Sequence, residues 1–249
     1  MQKRRRIPGR LRAAFPRIRT SCLSEGRIMR YLYGYGYLVI VFVVVTVLKK
    51  LFSLQTEISR KLVHIGIGYT WVILYRYFIL PENVPSWELL VMPVSFIIIN
   101  YLSYRYKIFS LVEREGDENH PGTVYYAVAM TLLLLLTIPF PVLVIPSGIA
   151  VFALSLGDGF AALFGTLFGK YGPHISKEKS LVGSAACAVG AMAGTYLLML
   201  FVPFALPFYA VLLIGVTTAV CELVGHGFDN FSILFGVTAV ATLLLEVTA

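Results

Sequence analysis

The chain is 249 residues long, 58% hydrophobic and only 14% charged, where an average soluble domain is about 25% charged. That composition excludes an ordinary soluble enzyme. The net charge of +8 is uneven: residues 1–30 hold ten Lys and Arg against one acid, Glu25, and the rest is close to neutral.

In chain order, residues 1–30 read as a basic tail and 31–249 as one transmembrane domain. The tail suits anionic lipid headgroups, so no nucleic-acid partner is expected. Eight apolar spans follow, at about 31–48, 62–80, 87–104, 122–139, 141–157, 183–203, 206–224 and 230–247. Each is near the length that crosses a bilayer as a helix. The expected fold is an all-α polytopic bundle of about seven or eight transmembrane helices. Cys22, Cys187 and Cys221 are scattered, with no C-x-x-C pair, which excludes a thiolate metal site.

The connections are of two kinds. Those after spans 2, 4 and 6 ("RYFILPENVPSW", "PFP", "PFALP") are short or nearly free of charge. Those after spans 1, 3, 5 and 7 ("KKLFSLQTEISRK", "SYRYKIFSLVEREGDENHPGT", "GKYGPHISKEKSLVGS", "ELVGHGFDN") carry most of the remaining polar chemistry. Alternate connections lie on one side of a membrane, so these four are expected to build one site. Their Lys and Arg excess places that side in the cytoplasm by the positive-inside rule. The basic tail then falls on the opposite side. Either the first span does not cross, or the working start is Met29 and residues 1–28 stand outside the protein. The second is favoured.

The fifth span ends on "SLGDGFAALFGTLFGKYG", which sets Asp158 between Gly157 and Gly159. A carboxylate at membrane depth is costly unless it meets water, a cation or a polar partner. Asp158 is therefore expected at a cytoplasmic cleft as a cation ligand. Gly157, Ala161, Gly165 and Gly169 recur every four residues, forming one helix stripe with little bulk. Such a stripe serves close helix packing, and Gly157 and Gly159 would equally admit a phosphate. The loop that follows supplies Lys170, Lys177 and Lys179 with Ser180, Gly183 and Ser184. That composition suits a triphosphate, although no Walker A pattern occurs.

The other loops add Arg60, Lys61 and His64, with Arg60 and His64 one helical turn apart. They also add Thr123 after Gly122, and Glu222 and Asp229 as further cation ligands. Asp229 and Asn230 serve equally well as caps of the last span. Carboxylates for Mg²⁺ beside Lys and Arg for phosphate make a phosphoryl-transfer site, which works mainly by positioning and charge. Such a site would take a nucleotide from water and an alcohol from the bilayer.

The motifs "SRKLVHIGIG", "GTVYYAVAM", "LGDGFAALFGTLFGKYG", "KSLVGS" and "ELVGHGFDN", in that order over about 56–236, resemble the CTP-dependent lipid-alcohol kinases. Members of that family act on dolichol, phytol or diacylglycerol. The resemblance implies transfer of the CTP γ-phosphate to a long-chain alcohol, with a divalent cation such as Mg²⁺, at the cytoplasmic face. It implies Arg60 and Lys61 as essential cations, Asp158 as organiser of metal and phosphate, and Gly165 as a packing glycine. Lys179, Ser180 and Gly183 would complete the nucleotide loop. Val182 stands where the family often has Glu. His64, Asp158 and Asp229 all stay open as the general base.

Two other readings stay open. A CTP:phosphatidate cytidylyltransferase also uses CTP, Mg²⁺ and a lipid, but its paired Lys-Arg and Lys-Asp signature is missing here. A small transporter would share the small-residue stripes, yet these charges cluster at one face.

Overall fold

The computed structural model describes residues 23–106, 122–175, 179–225 and 227–248, and among them it is built of helices. Eight helices stand at the eight expected spans. They are α1 (Leu23–Phe52), α2 (Thr56–Ile79), α3 (Glu88–Tyr106) and α4 (Gly122–Thr137). Then come α5 (Val144–Phe168), α6 (Leu181–Met199), α7 (Phe208–Val224) and α8 (Asp229–Thr248). Six of the eight regions are long and apolar enough to span a bilayer; α4 and α7, at 16 and 17 residues, are shorter. This is an integral membrane helix bundle.

Two boundaries differ from the hydropathy reading. α1 begins at Leu23, so Met29 falls within it. α5 does not stop near residue 157 but continues to Phe168. Asp158 therefore lies ten residues inside the helix's last residue, about 15 Å of helix rise. The four-residue stripe from Gly157 to Gly169 fits this longer helix better than the hydropathy boundary does. In the fold its residues are helix surface.

α5 is the hub. It packs along α6 most extensively, and also on α8, α2, α7 and α4. The α5–α6 seam is made by glycines of α6. A Cβ on Gly190 would come 2.5 Å from the Leu156 carbonyl oxygen, and one on Gly194 would come 2.6 Å from that of Phe152. Backbones can approach this closely only where there is no side chain, which is the usual way membrane helices gain packing energy. Ser180 caps the start of α6, its hydroxyl accepting the Gly183 N–H at 3.1 Å.

At the far end of α5, Trp71 of α2 is fully buried against Gly148, whose Cβ would sit 2.6 Å from the indole. The indole N–H donates to Ser147 Oγ at 3.1 Å, as a buried Trp requires. On the outside, Val39, Ile40, Val43, Val44 and Val47 of α1 stand exposed, a surface suited to acyl chains.

Candidate functional site

Three cation–carboxylate pairs gather at the end of the bundle where α2, α4, α6 and α8 begin. The most buried joins α2 to α5. Lys61 Nζ donates to Asp158 Oδ2 at 2.6 Å, and both residues are 7% exposed. His64, one turn along from Arg60, brings Nε2 to 3.6 Å from the same oxygen. A buried carboxylate needs such a partner, because leaving it alone costs several kcal/mol. The second pair joins the start of α6 to the end of α7: Lys179 Nζ lies 2.7 Å from Glu222 Oε1 and also donates to the Glu222 carbonyl. The third lies within α2, where Arg60 holds Glu57 with two bonds of 2.6 and 3.2 Å.

Other groups tie these pairs together. Asn230, at the start of α8, donates to the Gly122 carbonyl at 3.2 Å, and Gly122 lies against the Arg60 guanidinium. Asp229 acts electrostatically on both Arg60 and Glu222, and Asp158 acts on Glu222. Lys179 is presented by a narrow loop in which His174 and Ser180 pair and Ile175 N–H donates to the Lys179 carbonyl at 2.8 Å. Thus Arg60, Lys61, His64, Asp158, Lys179, Glu222 and Asp229, chosen as residue types, come together.

The small residues turn out to serve the helices. A Cβ on Gly157 would sit 3.1 Å from the Cys187 carbonyl, and one on Gly183 would sit 3.3 Å from that of Ala161. Gly165 faces Gly183, and Gly169 faces Ser180. The stripe of four is therefore the α5 side of the α6 seam. Gly159 admits Ile65 of α2, whose Cγ1 would lie 2.5 Å from its Cβ. Lys170 lies apart from the pairs. It is exposed, sits over the Tyr171 ring at 4.8 Å, and is about 18 Å of helix rise beyond Asp158. Thr123 is half-buried in the first turn of α4. Lys177 and the acidic run Glu113–Glu118 lie outside the described residues.

Sequence reasoning passed over three residues. Tyr126 packs edge-on to His64, ring centroids 4.7 Å apart. Its hydroxyl faces Ser155 on α5, yet neither hydroxyl completes a hydrogen bond of normal geometry. His64 Nε2 and Ser184 Oγ are likewise buried without one. Native interiors leave few such atoms; among the described residues others fall on Arg30, Tyr75 and Glu88, but only around Asp158 do an imidazole and two hydroxyls stand open together, as a polar guest would need. Ser155 was legible in principle, lying three residues before Asp158 on the same helix face. Glu57, three residues before Arg60, was legible in the same way.

A Mg²⁺ ion fits this donor set in one form only. Among the described residues no group of three His, Cys, Asp or Glu side chains is gathered as a metal cage. Mg²⁺ held with a nucleotide does not need one, since one or two carboxylates plus phosphate oxygens suffice. Asp158 and Glu222 are carboxylates of that kind.

No family model matches the chain, and no solved structure matches it. The phytol kinase of Synechocystis sp. is 26% identical over 214 residues, covering 82% of this chain and 87% of that protein. A probable chloroplastic phytol kinase of Triticum aestivum is 31% identical over 144 residues, covering 53% of this chain and 45% of its own length. The resemblance to lipid-alcohol kinases carried by the motifs is therefore borne out over most of the chain's length.

Proposed function

We propose that this protein is a membrane kinase that transfers the γ-phosphate of CTP to a lipid alcohol at the cytoplasmic face. The observation that carries the reading is the pairing of Lys61 with Asp158 and Lys179 with Glu222 at one end of the bundle, the two pairs linked by the action of Asp158 on Glu222. A nucleotide triphosphate with its cation satisfies both halves of those pairs. The ammonium groups of Lys61 and Lys179 would turn to phosphate oxygens, and Asp158 and Glu222 would hold Mg²⁺, with Asp229 within electrostatic reach. The metal supplies neutralisation of charge on the transferring group. Arg60 adds a fixed cation beside the cluster.

In the reaction, the alcohol oxygen bonds to the γ-phosphorus as the bond to the β,γ-bridging oxygen breaks, and CDP leaves. The hydroxyl proton passes to His64 Nε2, which holds no hydrogen bond of its own. Cytoplasmic placement rests on Lys49, Lys50, Arg60, Lys61, Lys170 and Lys179 on the site's side of the bundle. Phytol is the first acceptor to try, because the relatives named above are phytol kinases.

The test is product analysis with purified protein, Mg²⁺ and a panel of lipid alcohols, comparing CTP with ATP. Label from the γ-position of CTP is expected in the lipid. Label from cytidine in the lipid would instead indicate a cytidylyltransferase, and flux across proteoliposomes without a phosphorylated product would indicate a transporter.

A further inference from the structure

Two internal spaces lie between the helices. One, lined by Leu38, Ile67, Leu74, Met92 and Met130, measures about 30 Å³, which is room for a water or two. The other measures about 410 Å³, within the range of small-molecule pockets. Its floor is α2 and α5, at Ile65, Gly66, Gly68, Phe152 and Leu156. Tyr37 of α1 forms one wall, and Leu197 of α6 the other.

This larger groove opens toward lipid. Among the described residues α1 and α6 form no extended packing contact across it. Tyr37, Tyr69, Leu156 and Leu197 are all half-buried. Tyr37 spends its hydroxyl on the Gly66 carbonyl, at 2.7 Å. It thereby turns its ring toward Tyr69, which in turn meets Phe201. The lining is hydrocarbon and aromatic face throughout.

The inner edge of the groove adjoins the polar cluster. Ile65 follows His64 in sequence, and Gly159, beside Asp158, is where Ile65 meets α5. Gly68 belongs to both: it lines the groove, and its Cβ position lies 2.3 Å from Ser155 Oγ, one of the buried hydroxyls without a partner. The Ile65 side chain, packed on Gly159, and the Gly68 backbone are therefore what separates the apolar groove from His64, Ser155 and Asp158.

We propose that this groove holds the hydrocarbon chain of the acceptor, entering sideways from the bilayer between α1 and α6, with its hydroxyl directed past Ile65 and Gly68 to the cluster. The inference rests on the kinase reading above and adds the acceptor's class. A single groove between two walls takes one chain. The acceptor is a single-chain lipid alcohol, and a diacyl lipid would leave one chain without a place. Leu197 is then a specificity-determining residue, remote from every charged group of the site.

The experiment pairs a variant with a label. In Leu197→Trp the larger indole narrows the groove, so KM for a twenty-carbon alcohol is expected to rise about tenfold. KM for CTP and turnover of a ten-carbon alcohol should stay within about twofold of wild type, since neither depends on the lost volume. A folded variant with an unchanged chain-length profile would overturn the proposal. A diazirine-bearing single-chain alcohol on the wild-type protein gives the second readout. Label on peptides holding Tyr69, Phe152 or Leu156 supports the groove, and label confined to Met92 and Met130 overturns it. The labelling holds even if Leu197→Trp fails to insert. If wild type phosphorylates no alcohol while the label still falls in the groove, the kinase reading fails and the lipid-binding groove stands.

Discussion

Glu88 at one end of the bundle and Asp158 toward the other are both carboxylates withdrawn from solvent and held by cations, but their surroundings differ. Glu88 is fully buried in the first turn of α3 and carries an arginine on each oxygen, Arg27 at 3.1 Å and Arg30 at 3.0 Å. Arg30 also lies over the Phe78 ring at 5.9 Å. That arrangement staples α1 to α3. At Asp158 both close partners, the Lys61 ammonium and the His64 imidazole, approach the single oxygen Oδ2. Around it stand His64, Tyr126 and Ser155, each with a polar atom that has no hydrogen bond. The contrast teaches that a buried charge is not in itself a sign of function. What marks Asp158 is the kind of group left open around it: an imidazole nitrogen and two hydroxyls that a polar guest can meet, whereas the open atoms at the other end, Glu88 Oε1 and Arg30 Nε, belong to the ion pair itself.

The strongest test of the contrast is Asp158→Asn. In the proposed reaction it removes the charge but not the shape, and turnover is expected to fall by roughly 100- to 1,000-fold. Circular dichroism in detergent should show helix content retained. Normal CTP-dependent turnover would remove Asp158 from the mechanism. Next in size is Lys61→Met, which leaves the Asp158 carboxylate buried and unpaired, a loss of about 3–5 kcal/mol. Adding Asp158→Asn should restore much of the thermal stability while activity stays absent. If the double variant is no more stable than Lys61→Met, the two residues do not act as a pair.

Glu88→Gln is the mirror experiment. It weakens one charge-assisted hydrogen bond and one ion pair, so a loss of about 1–3 kcal/mol in stability is expected, read as a lower melting temperature with kcat unchanged. A selective loss of kcat would mean that both ends take part in the chemistry. The smallest effect is expected from Lys170→Ala. Its ammonium rests on Tyr171, far along α5 from the cluster, and activity should stay within about twofold, as for an exposed cation. A tenfold rise in the KM for CTP would return Lys170 to the nucleotide site.

The bundle was largely legible in the sequence because lipid imposes a simple rule on composition. Eight apolar spans became eight helices, and the alternation of polar and nearly empty connections correctly placed Lys61, Lys179, Glu222 and Asp229 at one end. Hydropathy was blind to where a helix continues beyond the apolar run, and so α5 was cut short at Asp158. Pairings were not legible either. Lys61 and Asp158 are 97 residues apart and Lys179 and Glu222 are 43 apart, and no local pattern encodes which cation meets which acid. The glycines around Asp158 fitted both a helix seam and the close approach of a phosphate. The structure uses them for helix packing. Tyr126 gave no signal of its own because its ring partner, His64, comes from a different helix.

The α5–α6 seam carries one further consequence. With glycine hydrogens set against carbonyl oxygens along Gly190 and Gly194, these two helices have no side chains that could yield, and they must travel as one rigid beam. Asp158 rides on that beam. Any breathing that lets a guest in or out therefore falls to the α1–α2 side, where Lys61 reaches across on a flexible stem and can let go without disturbing the wall it leans on.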